Sequence, residues 1–93
     1  MSSQVRKSLP KSIRNNIWSK YIGERFSGKC YVCSNKINVF NYECGHIVAR
    51  AKGGSDSIDN LVPICSTCNK SMQTMNLREY KKKYYNSSYC NII

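Results

Sequence analysis

Two Cys-x-x-Cys pairs, Cys30/Cys33 and Cys65/Cys68, stand with 31 residues between their inner members. A Cys-x-x-Cys turn aims both sulfurs at one point, and two such turns complete a tetrahedral thiolate shell for Zn²⁺. Length creates the need for such a shell. A chain of 93 residues makes one small domain, and a core of that size is marginal without a disulfide, a metal or a partner. Disulfides are the first rival, but they demand an oxidising compartment. The segment from Met1 to Ser12 is polar and basic. It lacks the apolar stretch of a secretory signal, so the expected location is intracellular and reducing rather than secreted. A redox dithiol is the second rival, but it needs one motif and two are present. One structural zinc per chain is expected, held by all four cysteines. Such a site supplies on the order of 10 kcal/mol of folding free energy. Cys44 reads as a small buried hydrophobe, with an extra metal or catalytic ligand as the sharper alternative, and Cys90 as a free thiol.

Charge narrows the partner. The chain carries 15 Lys+Arg against 5 Asp+Glu, a formal charge of +10. Residues 1–29 hold seven bases and one acid, residues 30–77 four and three, and residues 78–93 four and one. A near-neutral centre between two basic flanks suits a site gripped onto a polyanion, with a solvated basic surface as the plainer reading. No apolar stretch is long enough for a membrane helix. Seven Tyr argue against a disordered polyelectrolyte. No Gly-rich phosphate loop is present, so neither nucleotide hydrolysis nor a small-molecule cofactor is expected.

The hydrophobic pattern places the elements. Ile13, Ile17 and Tyr21 recur at helical spacing, widened by Trp18 and Ile22, and predict a helix from Ser8 to Gly23. Pro10 suits its first turn and Gly23 its end; Arg14 and Lys20 fall off the stripe and should stay wet. Ile37–Phe40 and Ile47–Val48 are β-type runs, and Leu61–Ile64 is a further short strand with Pro63 at an edge or near its end. Residues 49–59 form a polar loop around Gly53-Gly54. A helix should start after Cys65 and run through Met72, with Met72 and Met75 packing inside. Asn76 should cap a last helix, with Glu79 three residues on as in a capping box. The organisation is a basic arm and helix (1–29), a core (30–75) and a basic helix and tail (76–93), all in one domain.

His46 is the sole histidine; Asn60 follows 14 residues later and Asn69 nine after that, directly behind the second Cys-x-x-Cys. The run GHIVARAKGGSDSIDNLVPICSTCN at 45–69, its following KSM and the first Cys-x-x-Cys resemble the HNH endonucleases, the ββα-metal nucleases. The match is to their small proteins in large DNA viruses and phages, which makes a viral or phage origin an expectation. RNNIWSKYIG at 14–23 also looks like the helix that often precedes the first knuckle. The resemblance implies an α+β fold: a small ββα-metal core with structural zinc, an N-terminal helix before it and a basic C-terminal helix after it. His46 should end the first strand of a β-hairpin, residues from Asn60 to Ile64 should form the second, and Asn69 should sit on the next helix facing the hairpin.

The chemistry implied is hydrolysis of DNA phosphodiester bonds. His46 would be the general base that takes a proton from water. Asn60 would support the loop and the base, and Asn69 would ligate a catalytic metal. Its amide oxygen is a hard donor, which favours Mg²⁺ or Mn²⁺. The family usually places an acid just before the histidine, and here that position is Gly45. Three readings stay open: Glu43, two residues back on the same strand face, fills the space; water fills the coordination site; or the site is weakened or dead. Arg50, Lys52 and Lys70 near the expected cleft, Arg14 and Lys20 on the first helix, and Lys81, Lys82 and Lys83 on the last are candidate DNA-backbone contacts. Cutting both strands calls for a homodimer or two successive nicks. The rival from another class is an inactive zinc-stabilised module that only binds DNA or RNA. A weaker third is a protein-interaction module using the Tyr-rich C-terminus.

Overall fold

The computed structural model describes residues 9–85; Cys90, read above as a free thiol, lies outside them. Among the described residues the fold is α+β, with three α-helices and two small sheets. Helix α1 spans Lys11–Tyr21. Pro10 precedes it rather than sitting inside it, and its carbonyl accepts from the N–H groups of Ile13 and Arg14 at 3.0 and 3.2 Å. The helix stops at Gly23, whose φ of 90° is left-handed and whose N–H returns to the Trp18 carbonyl at 3.1 Å. The apolar stripe works as expected at Ile17 and Trp18, which are buried, while Tyr21 at its end stays exposed. Arg14 departs from expectation. It is half-buried, its guanidinium lies 4.6 Å from the centre of the Tyr42 ring, and Nη2 donates to the Tyr42 carbonyl at 3.2 Å. Burial, with Cys44 beside it, pushes the Tyr42 phenol up to about 12, so it remains a donor and reaches the Arg14 carbonyl at 2.6 Å.

Two antiparallel hairpins follow. The first pairs β1 (Ser27–Lys29) with β2 (Lys36–Asn38) around the first Cys-x-x-Cys turn. The β-type run Ile37–Phe40 therefore yields a strand only up to Asn38, and Phe40 is exposed. The partner β1, Ser-Gly-Lys, has no apolar alternation in the sequence to announce it. The second hairpin pairs β3 (Glu43–His46) with β4 (Leu61–Ile64), with Gly45 opposite Val62 and His46 opposite Leu61. β3 ends at His46, as the resemblance implies, and the β-type run Ile47–Val48 lies just beyond it. Ile47 still extends the pairing through its N–H to the Asn60 carbonyl at 2.8 Å. That bond fixes the alternation along the ladder: Gly45–Val62 becomes a bonded pair and Pro63 falls at a non-bonded position, where its missing N–H costs nothing. The Pro63 carbonyl instead takes the N–H of Tyr31 at 2.9 Å, tying the first cysteine turn to β4.

Helix α2 (Ser66–Met72) begins directly behind Cys65, as expected, and α3 (Leu77–Tyr84) is capped by Asn76. Asn76 Oδ1 accepts from the N–H groups of Arg78 and Glu79 at 2.9 and 3.2 Å. α1 packs on β4 and α2 on β3. Ile17, Leu61, Ile64 and Leu77 are fully buried where these elements meet, Met72 is buried beside them and Met75 packs at the edge. Burying each of the large apolar side chains is worth about 1.5–3 kcal/mol. No helix among the described residues is long and apolar enough to cross a membrane.

Candidate metal centre and candidate active cleft

Cys30 lies in the turn between β1 and β2, and its sulfur accepts from the N–H groups of Val32 and Cys33 at 3.3 and 3.4 Å. Cys65 caps α2, accepting from the N–H of Cys68 at 3.5 Å. The four sulfurs of Cys30, Cys33, Cys65 and Cys68 lie within 4.8 Å of one another, and Cys33 Sγ is 3.7 Å from Cys65 Sγ. A tetrahedron with Zn–S bonds of about 2.3 Å has edges of about 3.8 Å, so the donor set and its dimensions fit zinc. Burial raises the Cys33 and Cys68 thiols, and at Cys68 the neighbouring sulfurs push further in the same direction. Burial also pushes Cys30 up, but N–H donors from Cys33, Cys65 and Val32 outweigh it and the net shift is downward. A dication among the sulfurs would favour all four thiolates. Cys44 is buried in the core away from this group, as its plainer reading had it, and burial raises its thiol. No disulfide joins the described cysteines.

On the other side of α2 lies an open cleft of about 670 Å³ whose walls include Arg14, Glu43, His46, Arg50, Asn69 and Gln73. β3 supplies Glu43 and His46, and α2 supplies Asn69. Because Asn69 directly follows Cys68, and its N–H bonds the Cys65 carbonyl at 3.1 Å, the cysteine cluster sets the position of that amide. A seven-residue helix would be marginal alone. Gln73, at the end of α2, holds a φ of 51°, a strained conformation for a residue with a side chain.

His46 Nε2 sits 2.7 Å from Asp56 Oδ1. A carboxylate only accepts, so Nε2 carries the proton and Nδ1 keeps the lone pair in the neutral ring. Arg50 grips the same carboxylate with both arms, Nε to Oδ1 at 2.9 Å and Nη2 to Oδ2 at 3.0 Å. The Arg50 guanidinium, followed by His46, holds the Asp56 carboxyl down at about 2. Asp56 was missed by sequence reasoning. The signal was an acid in the polar loop six residues past Arg50 and ten past His46, one of the two acids, with Asp59, that balance Arg50 and Lys52 there.

Asn60 does not line the cleft. Its Oδ1 accepts from the Val48 N–H at 2.9 Å, and its Nδ2 donates to the carbonyls of Val48 and Ser55 at 3.0 and 2.8 Å. The amide thereby closes the base of the loop that carries Asp56. Gly54 is required there, since a Cβ would collide with the Val48 carbonyl oxygen. Gly45 has a different constraint. A Cβ would collide with Ile64 Cδ1 and come within 3.2 Å of Leu77 Cδ1. The space beside Gly45 is therefore core, already filled, and Glu43 does not enter it; Glu43 reaches the cleft by its own position on β3.

Of the candidate DNA contacts, Arg14 and Arg50 line the cleft. Lys52, Lys70, Lys82 and Lys83 are exposed outside it, as is Lys20. Lys81 is half-buried, with its ammonium 4.7 Å from the centre of the Tyr31 ring.

A profile of the HNH endonuclease family matches residues 30–85, and the chain belongs to that family. A "CRISPR-associated endonuclease Cas9" of Corynebacterium diphtheriae is 36% identical to it over 62 residues. That match covers 66% of this chain and 6% of the Cas9 protein. No solved structure matches. The hairpin β3–β4 followed by α2 is the ββα unit expected of the family, with the cysteine cluster at its other edge.

Proposed function

We propose that this protein is a metal-dependent endonuclease that hydrolyses DNA phosphodiester bonds, with His46 as its general base. The observation that carries the proposal is a histidine with one nitrogen tethered to Asp56, on the wall of a cleft shared with Glu43 and Asn69. Arg14 and Arg50 draw a backbone phosphate into the cleft. Nδ1 of His46 takes the proton from the attacking water, the new phosphorus–oxygen bond forms in line, and the bond to the 3′-oxygen breaks. Asp56 is a positioning residue: it selects the tautomer and steadies the ring, and it favours the imidazolium once the proton arrives. Asn60 acts one step further out by holding the loop that carries Asp56. Asn69 and Glu43 would hold Mg²⁺ or Mn²⁺, which supplies stabilisation of the charge developing on the phosphate and the leaving oxygen. Both donors are hard oxygens, and Mg²⁺ tolerates water in its remaining positions. The four cysteines would hold zinc for folding, which suits a reducing compartment.

A second reading, a binding module without catalysis, has one observation in its favour: Gly45 has no room for the family's acid. Nicking of supercoiled plasmid by the wild type, scanned over Mg²⁺, Mn²⁺ and no added metal, separates the two. Conversion to the open-circular form that requires Mg²⁺ or Mn²⁺ is the expected result. Plasmid binding without nicking under any of the three conditions would favour the binding module.

A further inference from the structure

The β1–β2 hairpin carries a surface that the cleft does not use. Ile37 points into the core, so its neighbours on β2 face outward, and Lys36 stands directly opposite Lys29 across the ladder. Like charges facing each other on a two-stranded ladder are destabilising, and an anion between them relieves the cost. Arg25, Lys29 and Lys36 line one open cavity of about 720 Å³ with no carboxylate on its walls. None of the three makes an ion pair among the described residues. Phe26 lines the same cavity and packs edge to face against Phe40, with ring centres 5.7 Å apart. Phe40 is 85% exposed and Phe26 61%. Neither ring is a core residue, and leaving two large aromatic faces in water beside three free cations is costly unless something covers them.

We infer that this face is a second nucleic-acid site, one that takes a single-stranded segment with its phosphates on Arg25, Lys29 and Lys36 and an unpaired base against Phe40. Charge decides for a polyanion over an apolar protein partner, and exposed aromatic rings decide for unpaired bases, because bases in a duplex have no free face to offer. The site shares no lining residue with the His46 cleft. It would direct the proposed nuclease toward DNA with a single-stranded region beside duplex, and that extension rests on the nuclease reading. Strand binding itself does not.

The test uses the full-length His46→Ala protein in chelator-free buffer without Mg²⁺, so that cleavage plays no part and zinc stays in place. Fluorescence anisotropy compares labelled oligo-dT with a duplex of equal length. Adding Phe40→Ala should weaken oligo-dT about tenfold, the size of one base–aromatic stack, and leave duplex affinity within about twofold. Phe40→Trp should restore strand binding. Lys29→Ala with Lys36→Ala should lower the slope of log affinity against log salt by about 0.7 for each phosphate no longer neutralised. The inference is overturned if Phe40→Ala leaves oligo-dT affinity unchanged, or lowers strand and duplex binding equally. It is also overturned if the wild type is a dimer that Phe40→Ala dissociates, since the face would then belong to a second copy.

Discussion

Cys68 and Asn69 are neighbours on α2, yet they belong to regions built in opposite ways. The cysteine side is closed: two sulfurs are buried, all four converge, and backbone N–H groups point at them. The His46 side is open, with Asp56 and Arg50 both more than one-third exposed. Removing part of the first region should therefore cost the fold, and removing part of the second should cost chemistry while leaving the fold standing. A metal bound by four thiolates stabilises the whole domain, whereas exposed ion pairs are worth only about 0–1 kcal/mol.

The largest expected effect is on the cysteine side. Cys33→Ser, or extraction of the metal by a strong chelator, should unfold the domain, read as loss of the far-ultraviolet circular dichroism signal together with one equivalent of zinc. Retention of native dichroism without zinc would break the comparison. Gly45→Asp comes next. It restores the family's usual acid, but the side chain enters space held by Ile64 and Leu77, and overpacking there should cost about 1–3 kcal/mol, with a lower Tm and no gain in nicking.

Smaller effects fall on the open side. Asp56→Asn should lower nicking about 10- to 100-fold, the usual scale for a group that orients a functional imidazole, with Tm at neutral pH little changed. Asp56 also has a pH signature. Its carboxyl is depressed to about 2 from an ordinary 3.8, so its stabilisation is complete above the unfolded value and disappears as pH falls from about 4 to about 2. Acid titration of stability should lose this component in the Asn variant. The smallest effects concern the lysines. Lys52→Ala should weaken duplex binding by one phosphate's worth, a drop of about 0.9 in salt slope. Lys81→Ala should instead lower Tm slightly, because its ammonium rests on Tyr31.

The cysteine cluster was legible in the sequence because ligand type and spacing alone define it. The helices were legible because their apolar spacing and caps are local: Asn76 and Gly23 act where their positions suggested. The β-strands were less so. β1 is three residues without alternation, and of the β-type run Ile47–Val48 only Ile47 continues the pairing beyond His46, because Val48 gives both its backbone groups to Asn60. In the cleft, the places of His46 and Asn69 followed from the family resemblance. Asp56 did not, because its partnership with His46 depends on how the loop folds back under Asn60. Arg14 is not legible as a half-buried residue for a similar reason: Tyr42, 28 residues away, captures it.

Nicking activity and thermal unfolding measured on one preparation of His46→Ala test the division between the two regions most directly. Loss of nicking by at least about 100-fold, the contribution expected of a general base, with zinc content and Tm equal to wild type, is the predicted result. Nicking at the wild-type rate in that variant would contradict the assignment of His46 as the base.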